Sequence, residues 1–177
     1  EYLQEHQILC AMCPSGNVYS GAAASFEAHP LLTLLHSGVP VSISSDDPPY
    51  TCSMTEELIL DAEKMGLTEA ELIQIIRNGF AYSISGQHLL PQFDAWVTLP
   101  AGRCSMTGMA TLEQIQRMPK LELHIHLEGT FDPETVCLLA EMQGISLPRP
   151  RQHLFDFSGL SDFLDLLDWI CSLVQNR

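Results

Sequence analysis

The sequence predicts an α/β fold with parallel strands. Three observations carry that prediction. Two short apolar runs, Ile8–Met12 and Val39–Ile43, have the length and composition of buried strands. Each is followed by a segment with helical spacing and helix-boundary residues. A third run, Leu121–Leu127, alternates apolar and polar residues and leads into another helix.

Taken in order, Glu1 to His6 reads as helix, so the sequence is expected to be a fragment or a processed product. Ile8–Met12 ends at Cys13-Pro14. Ser15 to Ser25 is rich in small residues and predicts a loop. His29-Pro30 opens a helix over Leu31–His36, with proline near its first turn and Ser37-Gly38 at its end. The second strand, Val39–Ile43, is broken by Asp46-Asp47-Pro48-Pro49. Thr55, Glu57 and Leu58 start a helix that runs to about Met65. Gly66-Leu-Thr68 forms a turn and a cap, and Glu69–Tyr82 follows as a helix.

Glycines and prolines punctuate residues 84–108 without a period, so this stretch is expected to be a linker, with Met106 and Met109 at its end. Leu112–Arg117 resumes helical spacing, and Leu121–Leu127 is the third strand. Asp132-Pro-Glu134 opens a helix to Gln143. Pro148 and Pro150 break the chain, and Leu160–Val174 closes it as an amphipathic helix.

Composition narrows the function. The 177 residues suffice for one sizeable core, and 46% hydrophobic against 17% charged residues describes a globular protein. Twenty-two acidic residues against eight basic ones give a net charge of −14. With no basic stripe, partners such as nucleic acid or an anionic membrane surface are not expected. No apolar run approaches the ~20 residues of a membrane span. The six cysteines are expected to be reduced thiols of a cytoplasmic protein.

The residues with chemistry lie in two places. Along Leu121–Glu128, Glu122, His124, His126 and Glu128 point to one face. Histidines at i and i+2 on a strand stand ~7 Å apart on that face. Their imidazoles can meet one metal at about 2.0–2.1 Å. Gly129 then lets the chain turn close to a ligand. The second place is Ser45-Asp46-Asp47-Pro48, where one carboxylate can bind a metal and the other can face a substrate. Each pattern also has a plain structural reading: a polar strand face with exposed histidines, and an Asp-Asp-Pro turn.

Lys120-Leu-Glu-Leu-His-Ile-His-Leu-Glu-Gly-Thr130 resembles the opening strand of the adenosine deaminase family, in the amidohydrolase superfamily. Phe131-Asp-Pro-Glu134 and Phe157 to Leu167 continue in the same style. Cys13-Pro-Ser-Gly-Asn17, His29-Pro30, Gly38-Val-Pro-Val41 and Ser45-Asp-Asp-Pro48 resemble that family's last two barrel strands. Gly66-Leu67 and Arg77-Asn78 fit the helices after them.

The resemblance implies a (β/α)8 TIM barrel, here incomplete or permuted, with strands equivalent to 7, 8 and 1. It divides the chain into a C-terminal-type block, 1–83, a linker, 84–108, and an N-terminal-type block, 109–177. It implies one zinc ion held by His124, His126 and Asp46. Asp46 would also orient the attacking water, Asp47 would hydrogen-bond the purine, and Glu128 would lie near the sugar hydroxyl. The implied reaction turns adenosine into inosine and ammonia. Adenine or another aminopurine is the alternative substrate, and an inactive fragment or interaction module is the alternative of another class.

The pattern also departs from that family. The C-terminal block precedes the N-terminal one. The family's middle, with its third zinc histidine, its ring-protonating glutamate and a histidine beside the water, has no counterpart among these residues. His29 matches a helix start, not a ligand. Gly16 replaces a hydroxyl residue and Ala11 an acidic one. In a closed barrel the eighth strand pairs with the first, so a permuted chain can still place Asp46 beside His124 and His126. Three strands leave open edges that favour self-association. A junction of two tandem units, with a fresh start near Met106 or Met109, and a rearranged fragment both account for the order.

Two cysteine motifs compete. His126-Leu-Glu128 with Cys10-Ala-Met-Cys13 imitates the His-x-Glu and Pro-Cys-x-x-Cys pieces of another zinc deaminase class, but in reverse order and with the proline misplaced. Cys10-x-x-Cys13 also has zinc-knuckle spacing, but no second pair matches it. Core thiols are therefore expected at both positions.

Overall fold

A computed structural model describes residues 1–98 and 111–174. The chain opens with α1, Tyr2–Glu5, and β1, Cys10–Met12. Next comes α2, Pro14–Tyr19, where a loop was expected; Pro14 at the first helical position starts it. Helix α3, Leu31–His36, follows as the sequence predicts, and β2, Val41–Ile43, begins two residues later than expected. β1 and β2 pair in parallel, with Cys10 opposite Val41 and Met12 opposite Ile43.

Helix α4, Met54–Met65, begins before Thr55. Its cap is Ser53, whose hydroxyl accepts from the Glu56 N–H while Glu56 accepts from the Ser53 N–H. Gly66 ends α4 in the left-handed region at φ 70°. Helix α5, Glu69–Tyr82, has the same reciprocal cap from Thr68 and Glu71. It lies on β2, and the Asn78 side-chain amide donates to the Val41 carbonyl at 2.9 Å.

The irregular stretch expected over 84–108 is helical in its first half. A 3₁₀ turn, Gln87–Leu89, leads into α6, Leu90–Thr98. Phe93 is buried against Phe80, and Arg77 of α5 holds Asp94 with two hydrogen bonds of 2.9 and 3.1 Å. The remainder of the stretch, with Cys104, Met106 and Met109, lies outside the described residues.

After α7, Leu112–Arg117, the expected third strand contracts to a single parallel bridge between Asp46 and Ile125. Its apolar residues pack on the core only at its start, through Leu121, while Ile125 is 43% and Leu127 69% exposed. Among the described residues no second strand flanks this segment, so it lacks a ladder on its outer side. A 3₁₀ turn, Glu128–Thr130, then leads to α8, Pro133–Gln143, capped by Asp132. A further 3₁₀ turn, Arg151–His153, precedes α9, Leu160–Leu173.

The buried apolar residues form two clusters. One joins β1, β2, α3 to α7 and the start of the His-x-His segment, around Leu31, Val41, Leu58, Leu72 and Ile75. The other joins α8 to α9 around Val136, Ala140, Leu166 and Ile170. Among the described residues no helix is long and apolar enough to cross a membrane.

Candidate metal centre

The parallel register decides which residues can meet. Met12 and Ile43 are opposite, so the chain leaves both strands at the same level, with Cys13 on one side and Ser44, Ser45 and Asp46 on the other. The His-x-His segment is fastened beside Ser44. The Ser44 hydroxyl oxygen accepts from the backbone N–H groups of Leu123 and His124, each at 3.2 Å. The Ser45 N–H and hydroxyl both donate to Glu122, at 3.0 and 2.5 Å. Glu122 therefore turns to Ser45 instead of joining the two histidines.

This fastening brings three of the expected ligands together. Asp46 Oδ1 lies 3.0 Å from His124 Nε2 and 3.1 Å from His126 Nε2. Donor atoms bound about 2.0–2.2 Å from one metal stand ~3 to 3.5 Å apart, so each histidine's distance to Asp46 suits a metal. The two imidazoles fall in separate donor groups around Asp46 and must draw together to share one ion. Asp46 achieves it with a left-handed backbone, φ 67°, which is uncommon for a residue with a side chain. Its carboxylate also needs the space at Gly16, where a Cβ would stand 2.6 Å from Asp46 Oδ2.

Asp47 is the buried partner. It is 7% exposed, and its Oδ1 has no hydrogen-bond partner among the described residues. Burial pushes its carboxyl above the usual range, His126 pulls it back, and Asp46 adds to the rise. Gly129 is buried against this carboxylate, and any Cβ there would collide with Asp47 Oδ1. Asp46, Asp47 and His126 form one group of donor atoms within 4.8 Å of one another, and Cys13, Asp46 and His124 form another. Both groups fit a metal ion, because they combine imidazole nitrogen with carboxylate oxygen.

Residues 1–88 and 119–177 match the adenosine deaminase family. The chain belongs to that family. The cluster draws Asp46 and Asp47 from the first matched block and His124 and His126 from the second, so the family's residues meet across the two blocks. Adenosine deaminase of Shewanella denitrificans is 34% identical over 80 residues, covering 45% of this chain and 24% of the relative. Adenosine deaminase of Shewanella loihica gives the same identity and coverage. Aminodeoxyfutalosine deaminase of Streptomyces coelicolor is 34% identical over 79 residues, covering 44% of this chain and 20% of the relative. The chain thus spans 24% or less of each of these relatives. No solved structure matches it.

The other adenosine deaminase family residues fall where they support the cluster or stand apart from it. Glu128 is on the 3₁₀ turn after His126, close enough to add to the rise of Asp47. His29 is buried and neutral in role: its Nδ1 accepts from the Leu31 N–H, and its Nε2 meets Asn17 Oδ1 at 2.9 Å. His6, His36 and His153 bond to Tyr2, Glu71 and Asp156, away from the cluster.

Four contributors have roles that the sequence does not show. Ser44 and Ser45 stand at a strand end, and only the pairing of strands reveals what they hold. Glu57 is fully buried on α4 and accepts from the Ser15 N–H at 2.8 Å, fixing the turn after Cys13. Cys13 was expected to be a core thiol, yet its sulfur belongs to the donor group of Asp46 and His124. Burial, then the charges of Asp46 and Glu57, pushes its thiol up to about 12.

Proposed function

We propose that the chain carries the metal-holding and purine-facing part of a zinc-dependent deaminase that hydrolyses adenosine to inosine and ammonia. The observation that carries the proposal is Asp46 Oδ1 standing 3.0 and 3.1 Å from the Nε2 atoms of His124 and His126. The names of the Shewanella relatives support adenosine as the substrate, and conversion of adenosine to inosine places the activity in purine salvage.

His124, His126 and Asp46 would hold the zinc. A bound zinc lowers the pKa of water and so supplies hydroxide near neutral pH. Asp46 would also orient the attacking water and receive its proton. Asp47, raised by burial, can hold a proton to share with a purine ring nitrogen. Gly129 leaves room for the Asp47 carboxylate to turn toward the ring, and Glu128 beside it would accept from a sugar hydroxyl. The location consistent with this role is cytoplasmic, and the open outer side of the His-x-His segment favours self-association.

The side chains of His124 and His126 are about half exposed, 51% and 45%. A deaminase must exclude bulk water around the reacting carbon. The 177 residues are therefore expected to bind zinc and adenosine but to release inosine negligibly. Equilibrium dialysis with adenosine and an inosine assay test this. Zinc-dependent adenosine binding that fails in Asp47→Ala supports the proposal. Zinc-independent binding, or none, opposes it. Rapid inosine release would show that the chain holds a complete site.

A further inference from the structure

We infer that Cys13 is itself a ligand of the metal at Asp46, a role distinct from the core thiol its sequence context implies. The inference rests on the reading that Asp46 and the two histidines hold a metal. Its support is the position of one sulfur atom. Cys13 Sγ, a carboxylate oxygen of Asp46 and an imidazole nitrogen of His124 all lie within 4.8 Å of one another. Donors bound to one zinc at about 2.3 Å for sulfur and 2.0–2.1 Å for nitrogen stand ~3.5 Å apart, so small side-chain movements close the gap.

The surroundings favour the same conclusion. Cys13 is buried, 8% exposed, and its thiol is free. It leaves β1 at the level where Ser44 leaves β2, so the sheet itself delivers it to Asp46. The carboxylates of Asp46, Glu57 and Glu122 lie close enough to act on it, and carboxylates gathered around a sulfur favour a cation. The overlapping group adds Asp47, a buried carboxylate whose Oδ1 has no hydrogen-bond partner among the described residues. Of the nearby thiols, Cys52 is committed to Glu57, and Cys10 sits at the opposite end of β1. A thiolate joining the His124 imidazole and the Asp46 carboxylate makes the site softer and turns its preference toward zinc, cobalt or cadmium and away from magnesium or manganese.

Cobalt(II) titration of the full chain tests this, because sulfur bound to cobalt adds a near-ultraviolet charge-transfer band that nitrogen and oxygen ligands do not. The expected spectrum has that band together with the visible cobalt bands. Cys10→Ser and Cys52→Ser keep it. Cys13→Ser loses it, keeps the visible bands and binds cobalt at least tenfold more weakly. Visible bands without charge transfer in the native chain would overturn the sulfur ligand while leaving the proposed metal centre standing. A band that survives Cys13→Ser would overturn it too. No cobalt spectrum at all would overturn both. Should Cys13→Ser fail to fold, alkylation of the native chain followed by mass spectrometry decides. Cobalt is expected to protect Cys13, and equal alkylation with and without cobalt contradicts the inference.

Discussion

The backbone N–H of His126 donates to the backbone carbonyl of Asp46 at 2.9 Å. Two residues eighty positions apart in the chain are thus joined by main chain as well as by side chain, for His126 Nε2 also faces Asp46 Oδ1. The site is positioned by backbone pairing, which holds the imidazole and the carboxylate in register before any ion arrives. Such preorganisation is what a ligand set needs if it is not to spend its affinity on ordering.

Ser44 tests how far that pairing depends on one hydroxyl. Its oxygen is fully buried and accepts from both Leu123 and His124. Ser44→Ala leaves those N–H groups without the acceptor. Folding stability is expected to fall by about 1–3 kcal/mol, and metal affinity by about 10-fold. Urea denaturation and zinc competition with a chelator measure the two effects. Loss of stability with unchanged zinc affinity would show that the hydroxyl does not position His124.

Gly16 separates the metal site from the fold. In Gly16→Ala the new Cβ would press on Asp46 Oδ2 and move the carboxylate away from the histidines. Within α2, alanine is the better helix former by up to about 1 kcal/mol. The metal-free variant is therefore expected to fold with native-like stability while zinc affinity drops about 10-fold. Equal zinc affinity in the two proteins would mean that Asp46 is not held where the structure puts it.

Asp61 gives a pH dependence unconnected to the metal. It is fully buried on α4, and neither carboxyl oxygen has a partner among the described residues. Burial, then the charge of Glu57, pushes its carboxyl up to about 9. In the unfolded chain the same group titrates near the ordinary aspartate value, about 3.9. Between these values the folded state holds one proton more than the unfolded state, so stability falls as pH rises from about 4 to about 9. Asp61→Asn removes that slope. At pH 8 the variant is expected to be more stable than the native chain by about 1–3 kcal/mol, and the gap should narrow toward pH 5. Parallel stability profiles for the two proteins would rule out a buried neutral Asp61.

The sequence made the helices legible because their ends are written locally. Thr68 with Glu71 and Asp132 with Thr135 are caps that need no distant partner. The same local signals explain the misses. Small residues at Ser15 and Gly16 hid α2, and the proline and glycines around Leu90–Thr98 hid α6. Leu121–Leu127 has the alternation of a strand, but a ladder needs several consecutive paired residues. Among the described residues only the Asp46–Ile125 bridge pairs it. The histidines and Asp46 stand out in the sequence because their types and spacing suit a metal. The left-handed turn of Asp46, the grip of Ser44 and the approach of Cys13 do not, because each arises from strands that the chain brings together over tens of residues.

The central claim is that Asp46, His124 and His126 share one metal ion. The most direct test is zinc content per chain after dialysis against metal-free buffer, measured on the native protein and on Asp46→Ala, His124→Ala and His126→Ala. About one tightly held zinc in the native chain, lost in all three variants while their circular dichroism stays native-like, is the expected result. A native chain that retains no zinc, or variants that retain it fully, would contradict the claim.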